Sequence, residues 1–222
     1  RKKQGATLQP HDALFRYTFS QREHAASLLR AVLPPALAAA VDWRTLRIEK
    51  GSFVDDNLRS RHSDLVLSAR LRGATLYFYT LIEHQRDVEA LMVLRMAIYM
   101  VRLWEQLVRD APTRTDIPFI FPILIHHSNT GWTAATAFQD LIPVEASLRP
   151  VLSPYIPHFQ VRLVDLSEGQ ASLIVDEVLT PLARVALWCM SVAGNDERLE
   201  RELHIMREAL EEIVQAPNGH AA

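Results

Sequence analysis

The chain has a single cysteine, Cys189, so it can form no internal disulfide; in "ALWCM" it reads as a small buried apolar side chain suited to a reducing compartment. It has no apolar run long enough to span a bilayer, because charges and prolines interrupt each candidate. The opening "RKKQGATLQP" lacks the apolar core of a signal peptide, so a cytoplasmic protein with no membrane partner is expected. Positive charge is not in excess either. The net charge is -2 and the pI about 6.5, which excludes a protein that coats nucleic acid through many lysines and arginines. An enzyme touching a few phosphates is still allowed. No internal repeat or low-complexity linker is visible, and no G-x-S-x-G elbow supports a serine hydrolase.

What is present is enough for a folded domain: 222 residues, 49% of them apolar and 23% charged. "HDALFRYTF" has helical spacing, and Ser20 followed by Glu23 has the spacing of a capping box for a second helix ending before Pro34 and Pro35. "WRTLRIEKGSFV" predicts a strand. "SDLVLSARLRGATLYFYTLIEHQR" predicts two more around a tight turn. The breaker-free "DVEALMVLRMAIYMVRLWEQLVRDA" predicts a long helix, apolar almost all round and therefore buried against a sheet. "IPFIFPILIHH" and "FQVRLVDL" predict further strands, and the tail from Glu168 predicts helices interrupted at Pro181 and capped again at Asn195. The fold class is therefore α/β or α+β: a mixed central sheet flanked by helices over residues 1–166, with a helical extension over 167–222.

The hairpin carries the chemistry. Alternate strand residues share a face, so Glu83 and Gln85 are neighbours on one side of their strand. A two-residue loop at Arg72 and Gly73 sets Asp64 opposite Leu81, one diagonal step from Glu83; a loop at Gly73 and Ala74 sets Asp64 directly opposite Glu83. Both registers leave the two acids on one face. Carboxylates that close repel unless a cation lies between them, and Mg²⁺ prefers oxygen ligands of this kind. Asp64, Glu83 and the backbone carbonyl of His84 are the candidate metal ligands, with Mg²⁺ or Mn²⁺ as the metal. Gln85 is neutral and cannot serve as a general base, but it can orient water or a phosphate oxygen.

Other residues are secondary. Glu49, upstream on the first strand, could add a third carboxylate. Arg86 and Arg95 are candidate phosphate contacts, Arg95 with Glu83 as an alternative partner. His126 and His127 face opposite ways on a regular strand, which argues against a shared zinc site. Asp165 ends a strand and reads as a cap or turn residue.

In order along the chain, "PHDALFRYTF", "LRAVLPPALAAAVDWRTLRIEKGSFVDDNLRSRHSDLVL", "YTLIEHQ", "LRMAIYMVRLWEQ" and "FPILIHHSNTGWT" resemble the YhgA-like putative transposase and recombination-promoting nuclease family, from about His11 to Asp165. That family is assigned to the PD-(D/E)XK nuclease superfamily. The resemblance implies an αβββαβ core and Mg²⁺-dependent endonucleolytic cleavage of DNA, with a link to recombination or mobile elements. Its acidic Asp falls on Asp64, and its Glu-x-Gln, in place of the superfamily's usual Glu-x-Lys, falls on Glu83 and Gln85. Arg86 stands where the family usually has Ser, and "HHS" at 126–128 where it has Tyr-His-Gly. DNA is the implied partner, with a homodimer or larger oligomer left open. A nuclease-fold DNA-binding or assembly module without catalysis is the alternative.

Overall fold

The chain begins with two helices, α1 (Pro10–Phe19) and α2 (Arg22–Val32), and a short α3 (Pro35–Ala40) that leads into the first strand. The computed structural model describes residues 10–49, 63–83, 88–128, 130–170 and 172–216, with backbone alone at 63, 64 and 81–83. The capping box is not formed. The residue before α2 is Gln21, whose extended backbone takes the N-cap position without a side-chain cap, so Ser20 lies one residue too early.

Strands β1 (Val41–Ile48), β2 (Ser63–Leu71), β3 (Ala74–Glu83), β4 (Phe119–His126) and β5 (Arg162–Asp165) form a mixed sheet in sequence order. β1, β2 and β3 run antiparallel, while β3, β4 and β5 run parallel. The long α4 (Met92–Asp110) makes the crossover from β3 to β4, and a short α5 (Arg149–Leu152) lies in the connection to β5. The αβββαβ order and the mixed sheet agree with the sequence reading. Pro122 is tolerated inside β4 because β5 pairs only from Ile123 onward, so at Pro122 the strand has one neighbour rather than two.

Each face of the sheet has its own core. On one side Leu65, Leu67, Ala69, Leu76, Phe78, Ile123 and Ile125 meet Phe15, Phe19, Leu28 and Leu29 from α1 and α2. The tail, α6 (Pro181–Val192), α7 (Asp196–Glu202) and α8 (Arg207–Gln215), joins that same core through Ala183, Leu187 and Trp188 of α6, Met206 just ahead of α8, and Leu210 packed against it. Asn195 does cap α7, its side chain accepting from the Arg198 backbone N–H at 3.0 Å. On the other side Val66, Tyr79, Ile120 and Leu124 meet Met92, Val93, Met96, Tyr99 and Leu103 of α4. Each such side chain contributes about 1.5–3 kcal/mol relative to exposure.

Among the described residues α4 is buried on that one face. Ile98 and Val101, on the outer side of the helix, remain 42% and 49% exposed.

His24 on α2 is buried and bonds through Nδ1 to Thr180 Oγ1 at 2.7 Å, at the start of α6. Burial pushes its pKa below the usual imidazole value, although the neighbouring Glu23 carboxylate pulls the other way. Below about pH 6.5 the unfolded chain takes up a proton at this site that the folded chain resists, so stability falls as the pH drops. Denaturation midpoints followed from pH 7.5 to 5 should fall less steeply for His24→Gln than for the parent chain; equal slopes would contradict this assignment.

Candidate active site

The hairpin turns at Arg72 and Gly73, with φ of 48° and 90°, the left-handed pair that suits a two-residue loop between right-twisted strands. Leu71 accordingly pairs with Ala74, Ser68 with Tyr77, Val66 with Tyr79 and Asp64 with Leu81. This is the diagonal arrangement of the two that the sequence left open. By alternation, positions 64, 66, 68 and 70 of β2 and 75, 77, 79, 81 and 83 of β3 belong to one face. Val66 and Tyr79 identify it as the α4 face. The backbone thus brings positions 64 and 83 together on one side of the sheet. His84, Gln85 and Arg86 lie outside the described residues.

Arg95 pairs with Glu89, just ahead of α4. Glu49 comes directly after β1, where its backbone N–H donates to Val66 O at 2.9 Å and its carboxylate accepts from Ser68 Oγ. Ser68 lies farther from position 64 than Val66 does, so this hydrogen bond turns the carboxylate away from the Asp64 end of the hairpin. Burial raises the pKa of the adjacent Tyr77 phenol, and the negative charge of Glu49 adds to the effect, opposed by Arg114.

The parallel half of the sheet extends the row. Glu83 pairs in register with His126, and His126 with Asp165, which aligns three ionisable residues across the C-terminal ends of β3, β4 and β5. Ligands of open α/β sheets gather at this edge. The His126 ring is buried, edge-on to Trp132 at 5.0 Å, and its Nε2 lies 3.2 Å from Thr130 O and 2.8 Å from Ser128 Oγ. A carbonyl can only accept, so in this contact Nε2 is the donor. The His126 Nδ1 is buried and has no hydrogen-bond partner among the described residues.

His127 faces the other way, toward the His11 ring at 5.3 Å. Asp165 has the turn role read from the sequence: Oδ2 accepts from Trp132 N at 2.8 Å and Oδ1 from Ser167 N at 3.0 Å. The proximity of His126 to position 83 was not read from the sequence, since the β3–β4 register is set by the α4 crossover and has no local signal.

Oxygen donors at positions 64 and 83, on one face and one diagonal apart, suit a hard divalent cation in chemical type. A family model described as "Putative transposase, YhgA-like" matches residues 9–218. The chain belongs to this family. Among curated relatives, Recombination-promoting nuclease RpnA of Escherichia coli K12 is 37% identical over 126 residues, 57% of this chain and 42% of the relative. Recombination-promoting nuclease RpnD of Escherichia coli O157:H7 is 28% identical over 182 residues, 82% of this chain and 66% of the relative. Inactive recombination-promoting nuclease-like protein RpnE of Escherichia coli K12 is 31% identical over 128 residues, 58% of this chain and 42% of the relative. The chain thus spans between 42% and 66% of the length of these relatives. No solved structure matches it.

The turn that sets the register can be tested alone. A Cβ added at Gly73 would meet nothing within 4 Å, so Gly73→Ala introduces backbone strain without a clash. It should cost about 1–2 kcal/mol in urea unfolding. An unchanged midpoint would contradict the turn geometry.

Proposed function

We propose that this chain carries a metal-dependent DNA endonuclease centre with a role in recombination. The observation that supports it most is the hairpin register, which sets positions 64 and 83 on one face, within a family whose curated relatives are named recombination-promoting nucleases. In this reading Asp64 and Glu83, with the His84 carbonyl, hold Mg²⁺ or Mn²⁺. When bound, the cation lowers the pKa of water and offsets negative charge on a phosphodiester. Gln85 donates and accepts hydrogen bonds to orient water at the phosphorus, since an amide neither gains nor loses a proton near neutrality. Arg86 is a candidate to steady a non-bridging phosphate oxygen. Arg95 is held by Glu89 and is the weaker candidate.

A second reading, a nuclease fold that binds DNA without cutting it, is favoured by a specific observation. Two relatives with related sequences carry names that mark them as inactive or putatively inactive. Gln85 in place of the superfamily's usual Lys points the same way.

Supercoiled plasmid separates the two. The wild-type chain should nick or linearise it with Mg²⁺ and not with EDTA. Asp64→Ala and Glu83→Ala should each lower the rate by about 100-fold or more, and Gln85→Ala by roughly 10- to 100-fold. Equal cutting by the wild type and Asp64→Ala would defeat the first reading. Metal-independent DNA binding by a folded wild type that never cuts would establish the second.

A further inference from the structure

β1 does not pair evenly with β2. Asp42 is opposite Arg70 and Arg47 is opposite Ser68, so the four residues Trp43 to Leu46 stand against the single residue Ala69. A bulge this wide lifts the edge strand away from its neighbour and strands part of the ladder. Thr45 repairs the loss: its Oγ1 accepts from the Arg70 backbone N–H at 2.8 Å and donates to Asp42 O at 2.6 Å. The gap is therefore a stabilised feature of the strand. It opens a cleft of about 540 Å³ between β1, β2 and the start of α2.

Among the described residues four arginines line this cleft, Arg22, Arg44, Arg47 and Arg70, against one carboxylate, Glu49. The whole chain has the opposite balance, 24 basic to 26 acidic residues, so this is a local concentration of positive charge. Only three of the chain's 24 basic residues are lysines, and among the described residues the cations of the cleft are all arginines. Arg22 is tied to the bulge, donating to the carbonyls of Trp43 and Arg44, and Arg70 donates to Gly73 O at 2.7 Å. The exposed guanidiniums of Arg44 and Arg47 have no hydrogen bond or ion pair among the described residues. The Thr75 and Tyr77 hydroxyls on the floor of the cleft are likewise unbonded among the described residues.

We infer that this bulge-built cleft is a binding site for the phosphodiester backbone of duplex DNA, with Arg44 and Arg47 as its principal contacts. The planar, permanently charged guanidinium matches a phosphate with two parallel donors, and the neutral hydroxyls add donors without adding anions. Ser68 and Arg70 share the sheet face of positions 64 and 83, and Ser68 lies four residues along β2 from Asp64. That is about 13 Å of strand, or about four steps of duplex at ~3.4 Å each. The cleft would thus grip the backbone a few nucleotides from the phosphate at the hairpin end. This inference takes its ligand from the nuclease reading, but it can be tested without cleavage.

Fluorescence anisotropy of a labelled duplex, titrated in EDTA over a range of salt concentrations, measures binding alone. Arg44→Gln combined with Arg47→Gln should weaken affinity roughly 10- to 60-fold near 0.1 M salt and reduce the log–log salt slope by about 2. Arg44→Lys with Arg47→Lys should keep the wild-type salt slope while binding less tightly. Arg149→Gln with Arg207→Gln, the same charge change at exposed positions elsewhere, should leave affinity within about twofold. Circular dichroism melts confirm that each variant is folded.

Three results would overturn the cleft: wild-type affinity in the Arg44/Arg47 glutamine variant, equal weakening by the Arg149/Arg207 pair, or no binding by the wild type. Plasmid cutting by the same preparations judges the nuclease reading separately. Mg²⁺-dependent cutting lost in Asp64→Ala, alongside unchanged binding in the Arg44/Arg47 variant, keeps the nuclease and removes the cleft. Arginine-dependent binding without any cutting keeps the cleft and removes the nuclease.

Discussion

The two positive φ angles at Arg72 and Gly73 fix the register of the hairpin at the centre of this sheet. A two-residue loop allows one pairing of the flanking strands, and strand alternation then assigns each residue of β2 and β3 to a face. A slip of one residue in β2 relative to its partners would turn Leu65, Leu67 and Ala69 out of the core they share with α1 and α2. The apolar pattern and the turn therefore enforce the same register. Positions 64 and 83 are brought together by that agreement, with no contact of their own required.

The sheet divides its labour between its halves. Where β3, β4 and β5 run parallel, α4 closes one face with Met92, Met96 and Leu103, while α1, α2 and the tail helices close the other. Where β1 meets β2 the α4 face is polar, with Glu49, Ser68, Arg70 and Tyr77 in a cleft. Positions 64 and 83 fall at the far end of the hairpin from its turn. There the parallel strands also end, and His126 and Asp165 continue the row. Strands rather than loops set the spacing of these positions.

Much of this was legible from local chemistry. While the choice between the two possible hairpin loops was left to the structure, the hairpin, the length of α4, the strand at "FPILIH" and the Asn195 cap all have signals within a few residues of themselves. Three features do not. The capping box at Ser20 has the right spacing, but the chain enters α2 at Gln21, whose side chain makes no cap hydrogen bond. The bulge in β1 depends on a hydroxyl at Thr45 replacing a main-chain partner of Arg70, a contact between residues 25 apart in sequence. His126 comes beside position 83 only through a crossover of more than thirty residues, whose register is settled by packing on α4. An all-round apolar helix likewise does not tell which of its faces the sheet covers, and in α4 the Ile98 and Val101 side is left outside.

The central proposal, that Asp64 and Glu83 hold one hard cation, is tested most directly by counting Mn²⁺ with electron paramagnetic resonance in the absence of DNA. The account predicts one tightly bound ion per wild-type chain. That ion should be lost in Asp64→Asn and in Glu83→Gln, with the double variant no weaker than either alone. Full retention of the ion in both single variants would contradict it.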